Sequence, residues 1–440
     1  MKKIIVRFSK IILVIAFLNI FAASVNHVAN NGQFFGVLTK PFKSYIEFIV
    51  LVQDVINGIV AQIKPYHVIA DKNFKEINLL EKNIYSLNAH FELDRYIFKL
   101  RNMRNDSLIH SWSFTKDKFV GSFEKYLVAH PQNPILLNDG SLIGMLYDTE
   151  NLFRLDKSSN IIWHNTSRTF HHSINMSHDN HVWACTSRKA ATKSEHSNNY
   201  TIYKDDVLTK IDVETGTVAW EKSLSDILIS NGFINIVHGY SNDEFSYGAD
   251  LFHLNDIEPI NFNGKFWLQG DLLLSLRNRS LIIHYRPETN KILRMISGPF
   301  LAQHDVDIIS ENEISIFNNN RTGTEFKAGH VDVEGNKDYN IDEFKLKSSN
   351  IVVYNFADST FSTPFLDLFE QENIYTHRQG VHTFLENGDL FVESTETGKI
   401  YIFRDDKVIL QKYANKVQDK GTTEYPHWMR IYENVNFLNE

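Results

Sequence analysis

From about residue 85 onward the apolar positions follow no helical period. Short runs, some alternating and some continuous, are separated by Gly-containing tripeptides such as Asn138-Asp139-Gly140, Glu214-Thr215-Gly216, Glu386-Asn387-Gly388 and Glu396-Thr397-Gly398. Alternation puts every second side chain on one face of a strand, and these tripeptides supply turns. The pattern predicts many short strands.

The runs also recur in a fixed order. One copy runs from Pro134 through Leu152 and Ile161 to Trp163. A second runs from His172 through Val182 and Leu208 to Trp220, and a third from His253 through Leu272 and Leu281 to Ile292. A fourth runs from His304 to Ile316 and then Ile351 to Tyr354, and a fifth from Gly380 through Leu390 and Ile400 to Val408. Four strands per copy with a period of about 40–55 residues match a β-propeller. Residues 96–100 and 108–112 fit the outer strands of one more blade, and 427–431 fit its inner strand. Joining the two ends in one sheet closes the ring and removes two open edges. The expected fold is all-β, a six-bladed β-propeller over 85–440. Segments 189–203 and 319–347 interrupt the repeat. The first is polar and reads as a loop; the second is rich in Gly and charge and reads as a cover on one propeller face.

The N-terminus has a different pattern. Lys2, Lys3, Arg7 and Lys10 precede an apolar run from Ile11 to Val25. Its length of about 15 residues lies between a signal-peptide core and a spanning helix. Residues 1–30 therefore read as a signal anchor or signal peptide, with the anchor favoured. Ala22-Ala23-Ser24 is a weak cleavage site. Between Ile46 and Ile63 the polar residues Glu47, Asp54, Gly58 and Gln62 fall near one helical face, so 31–84 reads as a helical, amphipathic region. The basic flank stays on the cytoplasmic side, which sets the remainder in a periplasmic or other extracytoplasmic space, held to the membrane by the N-terminal helix.

Composition narrows the chemistry. Aromatic residues make up 13% of the 440, with 32 Phe, which argues against disorder. Formal net charge is −8 and no basic cluster follows the N-terminus, which argues against nucleic acid as a partner. Cys185, the one cysteine, cannot form an internal disulfide and reads as a buried inert thiol rather than a catalytic one. The 19 His show no metal-binding spacing such as H-E-x-x-H.

Polar residues recur where the inner strands begin: His171-His172, His253-Leu254-Asn255, Arg277 after Leu276, and His304-Asp305. Such groups converging on an axis would hold a tetrahedral anion, with Arg277 as the fork that binds its oxygens. If His253 and Asn255 lie on a strand, they share a face. Only one of His171 and His172 then faces inward. Arg277 and Arg279 share a face if their strand continues, with Arg279 at the surface. Asn318 reads first as a turn residue within reach of the pocket. His377, Arg378 and His382 read as rim or structural residues, and Trp112, Trp163 and Trp220 as blade packing.

At Asp250-Leu251-Phe252-His253-Leu254-Asn255, Gly270-Asp271, Ser275-Leu276-Arg277, Ser297-Gly298-Pro299-Phe300 and Gln303-His304-Asp305, the chain resembles the arylsulfate sulfotransferase family over about residues 88–438. These are six-bladed propellers independent of 3′-phosphoadenylyl sulfate. The resemblance implies transfer of a sulfuryl group from an aryl sulfate donor to a phenolic acceptor, by a ping-pong mechanism through a sulfohistidine. It implies no cofactor and no metal. It assigns the nucleophile to His304 and supporting roles to His253, Asn255, Arg277 and His172, with His171 as the alternative to His172. The chain departs from the better-known periplasmic members in lacking a disulfide pair and their N-terminal β domain. That leaves substrate range and oligomeric state, a homo-oligomer included, open.

Two other classes remain. Asp212-Val213-Glu214-Thr215-Gly216-Thr217-Val218-Ala219-Trp220 resembles repeats of quinone-cofactor dehydrogenases, although the Trp motif is clear only once. A membrane-anchored scaffold propeller would need no convergence of His, Asn and Arg.

Overall fold

The computed structural model describes residues 67–91, 95–115, 129–193, 200–238, 250–321, 330–331, 337–338, 348–418 and 421–439. The chain divides into two units, 1–65 with 122–128 and 66–121 with 129–440, and every described residue belongs to the second. The signal anchor or peptide expected at 1–30 and the amphipathic stretch at 46–63 lie outside the described residues. Among the described residues, no helix is long and apolar enough to cross a membrane.

The second unit is a six-bladed propeller of antiparallel sheets. Five blades use strands in chain order from inside outward, beginning with Pro131–Leu136, Thr169–Ser177, Leu254–Pro259, His304–Ile308 and Val381–Phe384. The remaining blade joins the chain ends. Arg430–Tyr432 pairs with Tyr85–Phe91, bringing Arg430 opposite Leu87, and Arg95–Asn102 and Leu108–Thr115 complete it. Residues 85–91 form a strand in this blade that the repeat pattern did not assign.

Alternation explains the packing between blades. Along Arg95–Asn102 the side chains alternate between half-buried and buried, and Tyr96, Phe98 and Leu100 are the apolar members of the buried set. They join Trp112, Phe114 and Phe153 in one apolar cluster across two blades. Each such side chain contributes about 1.5–3 kcal/mol of burial. The tryptophans serve this packing. Trp112 Nε1 donates to Gly140 O at 3.2 Å, and Trp163 Nε1 donates to Val213 O at 2.8 Å. At Gly216 φ is +69°, and a Cβ would lie 2.5 Å from the Trp163 ring, so only glycine fits this turn.

A second repeat is electrostatic. Arg154 pairs with Asp139, Arg286 with Asp271 and Arg404 with Asp389, each Arg following its Asp by 15 residues in sequence. In each of these blades the pair ties the turn before the second strand to the third strand.

Two expectations are corrected. Residues 67–84 fell within the expected helical region, but they carry strands. His67–Ile69 pairs with Thr422–Glu424, and Ile77–Asn78 extends the last blade by pairing with Gln411 and Leu410. The exposed edge of Lys407–Tyr413 gains a partner this way, a tertiary demand that local periodicity does not reveal. Segment 189–203 is not simply a loop. His181–Lys193 and Tyr200–Asp212 form one long hairpin, with Lys189 opposite Lys204. Its polar composition reflects strands extending beyond the blade. Within 319–347, only 319–321, 330–331 and 337–338 are described.

Candidate active site

Six residues with left-handed backbone stand near the entries of the six inner strands: Asn133 (φ 48°), His172 (57°), His253 (54°), Asp305 (48°), Gln379 (59°) and Trp428 (56°). In a residue with a Cβ this conformation costs on the order of 1–2 kcal/mol. The local kinks also offset the strand register. Asn255 is an extra residue between the pairs Leu254–Leu276 and Asp256–Ser275, and Asp305 is extra between His304–Phe317 and Val306–Ile316. Strain and bulges gather at functional ends of sheets.

At these kinks three imidazoles meet. The His172 ring lies 4.7 Å from that of His253 and 6.2 Å from that of His304, and the His253 and His304 rings are 6.5 Å apart. Trp428 packs 6.0 Å from His172 and 6.2 Å from His304, with its Nε1–H lacking a hydrogen-bond partner among the described residues. The Tyr147 ring stands edge-on to His172 at 5.3 Å.

Each imidazole is fixed from outside. His304 Nδ1 meets Asn319 Oδ1 at 2.7 Å, and Asn319 Nδ2 donates to the carbonyls of Thr376 (2.8 Å) and Gln379 (2.6 Å). Those two donations fix the amide orientation, so Oδ1 can only accept and His304 Nδ1 carries the hydrogen. Nε2 is then the lone-pair nitrogen, and Gln379 N–H lies 3.4 Å from it. His253 Nδ1 meets Asp250 Oδ2 at 2.5 Å, and Asp250 Oδ1 accepts from the His253 backbone N–H. His172 Nδ1 meets His171 Nδ1 at 2.8 Å, and His171 Nε2 faces Asp206 Oδ1 at 3.4 Å.

Burial first, then the charge of Arg277, holds the His304 pKa well below its ordinary value. Burial and the neighbouring His253, His171 and His304 do the same to His172. Both rings are therefore neutral near pH 7, the state a nitrogen nucleophile requires. For Asp250, burial opposes ionisation, but the hydrogen bond and charge of His253, together with Lys204, outweigh it and leave the carboxyl strongly acidic. Burial pushes the Tyr147 hydroxyl up to about 12.

The sequence-chosen residues fall into distinct places. His172, His253 and His304 form the cluster. Arg277 begins a 3-10 turn, Arg277–Arg279, so the strand ends at Leu276 and the two arginines do not share a strand face. Arg277 N–H donates to His253 O at 3.2 Å, and its Nη1 donates to Asn278 Oδ1 at 2.8 Å. Asn255 does not stand beside His253 on a strand face, because His253 precedes the strand in a left-handed conformation. Asn255 is fully buried, and its Nδ2 donates to Gln303 O at 2.8 Å, bracing the residue before His304. His171 and His172 are both buried and touch, with His171 behind.

Asn318 is occupied elsewhere. It accepts from Leu301 N–H at 2.9 Å and donates to Asn350 Oδ1 at 3.1 Å, acting as a brace between loops. Its neighbour Asn319 is the one that reaches the cluster. His382 is also a brace: Nδ1 meets Asp305 Oδ2 and Nε2 meets Ser315 Oγ, both at 2.7 Å. His377 pairs with Glu396 at 2.8 Å on the half-exposed rim. Cys185 is buried beside Ser173, with its thiol pKa pushed up by burial.

Sequence reasoning missed Asn319, Tyr147, Trp428, Lys204 and the role of Asp250. Lys204 directly follows the segment 189–203 that was read as a loop and bridges to Asp250, near enough to Tyr147 and Asp206 for their charges to matter. The run Asn318-Asn319-Asn320 was visible, but only the fold selects its middle member.

A model of the arylsulfotransferase (ASST) family matches residues 133–416, more than half of the chain. No curated protein matches it. Among solved structures, a protein of unknown function from Bacteroides caccae is 9% identical, covering 80% of this chain and 100% of its own, with a TM-score of 0.49. Kuenenia stuttgartiensis hydrazine synthase is 11% identical over 71% of each chain, with a TM-score of 0.40. A functionally unknown protein from Desulfotomaculum acetoxidans is 9% identical over 79% of this chain and 98% of its own, with a TM-score of 0.39.

Proposed function

With the chain belonging to the arylsulfotransferase family, we propose that it moves a sulfuryl group from an aryl sulfate to a phenol in two steps, with His304 carrying the group between them. One observation carries this reading: a neutral, tautomer-fixed His304 stands beside two further imidazoles and under the charge of Arg277.

In the first step His304 Nε2 attacks sulfur. The N–S bond forms, the S–O(aryl) bond breaks, and the electron pair leaves on the aryl oxygen. His253 gives that oxygen a proton from Nε2, and Asp250 holds the ring through Nδ1. Arg277 binds the sulfuryl oxygens as a fork. Charge in such transfers sits on peripheral oxygens, so fixed positive groups provide most of the catalysis. In the second step His253 takes the proton of the phenol. The phenolic oxygen attacks sulfur, and the N–S electron pair returns to His304. His172, buried with Nδ1 against His171, lines the space between them, and Asn255 positions His304 through Gln303.

The convergence of the imidazoles supports an enzyme over a scaffold. Trp220 packs 5.3 Å from Trp183, which accounts for its motif without a quinone cofactor. The basic flank and apolar run at the N-terminus support an extracytoplasmic, membrane-held setting. The test is incubation of the full chain with a chromogenic aryl sulfate. Phenol-dependent release without nucleotide is expected, and no release with any phenolic acceptor would refute the reading.

A further inference from the structure

The three imidazoles have a second chemical capacity. One ring nitrogen from each of His172, His253 and His304 lies within 4.8 Å of those of the other two. Each Nδ1 is engaged from outside, by His171, Asp250 and Asn319 respectively, so Nε2 is the nitrogen each ring would offer, that of His304 in exchange for its 3.4 Å hydrogen bond from Gln379 N–H. A histidine held at one nitrogen by a carboxylate or amide oxygen is the outer-shell arrangement of metal-binding imidazoles. Here Asp250 and Asn319 hold their rings directly, and Asp206 backs His172 through His171.

We propose that His172, His253 and His304 bind one divalent transition-metal ion of the zinc type, and that the ion excludes the aryl sulfate by occupying His304 Nε2. Tetrahedral zinc at about 2.0–2.1 Å from each nitrogen needs its ligands roughly 3.4 Å apart. With the ring nitrogens within 4.8 Å of one another, binding requires them to close by at most about 1.4 Å. Three imidazoles and one open position suit zinc, copper or nickel and not calcium or magnesium, which take oxygen ligands. The surrounding charge does not oppose a dication in sum. Arg277, whose charge reaches His304, and Lys204 are balanced by Asp250 and Asp206. The site is spread over three blades, which is why no linear spacing in the sequence announces it.

The test is calorimetric titration of the chelator-treated full chain with zinc ion, without substrate, so that the outcome is independent of whether the chain transfers sulfuryl groups. One ion per chain is expected. Affinity should fall at least 100-fold in His253→Ala, whose ring is partly exposed, and in His172→Ala. It should fall about 10- to 100-fold in Asp250→Asn, which keeps the ligands but loosens one ring. His110→Ala, whose ring meets Lys157 O at the surface, should bind like the parent, and magnesium ion should not bind. Circular dichroism confirms that each variant is folded. Absence of stoichiometric zinc binding by the parent would overturn the proposal, as would unchanged affinity in folded His253→Ala and His172→Ala.

Discussion

His304 and Asn319 lie 2.7 Å apart, Nδ1 to Oδ1, and this contact sets which nitrogen of His304 carries the hydrogen. Asn319 is in turn fixed by two backbone carbonyls from the loop that opens the next blade. The tautomer is therefore decided by the fold around the ring.

Asn319→Ala should lower kcat by about 10-fold or more while leaving the donor KM within a few-fold, because the ring loses its preferred tautomer rather than the anion its binding groups. Steady-state kinetics against donor concentration measure the split. An unchanged kcat would remove Asn319 from this role.

Arg277→Lys should cost about 100-fold in kcat/KM. A lysine keeps the charge but cannot reproduce the two parallel N–H donors of the fork. Near-parental kcat/KM in a folded variant would show that Arg277 acts as a simple charge or not at all.

The fold was legible in the sequence where a signal repeats, and less so where it occurs once. Alternation and turns gave six blades, and the complementary chain ends gave the closing sheet. The 15-residue spacing from Asp271 to Arg286 and from Asp389 to Arg404 was equally periodic but went unused. Strand-period reasoning placed His253 and Asn255 side by side, and it failed there because His253 sits in a left-handed kink before the strand. Such kinks are tertiary requirements at the ends of inner strands and leave no mark in a hydrophobic pattern. Lys204, one residue past the segment read as a loop, was lost for a similar reason: its bridge to Asp250 is a tertiary contact that composition does not reveal.

Gly216→Ala should destabilise the protein by about 2 kcal/mol or more. It places a Cβ 2.5 Å from the Trp163 ring at a φ of +69°. Denaturant melts should show a lower midpoint with the slope unchanged.

Carboxylates lining the inner strands set an alkaline limit on stability. Burial first, then the charge of Asp305, raises the Asp307 pKa to about 8, with Asp256 adding and His382 and Arg430 opposing. Glu258 is raised in the same way, by burial and then Asp307. An unfolded Asp ionises near 3.9. Between that value and about 8 the folded chain holds a proton at Asp307 that the unfolded chain has lost, so this group's contribution falls as pH rises. Asp307→Asn has no such proton to lose. Its Tm relative to the parent should rise from pH 5 to pH 8, by roughly 2 °C or more. Thermal melts at the two pH values check this, and a difference that shrinks with pH would contradict it.

The central claim is that His304 carries the sulfuryl group. The most direct measurement is mass spectrometry of the chain after brief exposure to an aryl sulfate without acceptor. One added sulfuryl group is expected on the peptide containing His304, removed when phenol is supplied, and absent from His304→Ala, which should also lose turnover. A sulfuryl group on any other residue, or near-parental turnover in folded His304→Ala, would contradict it.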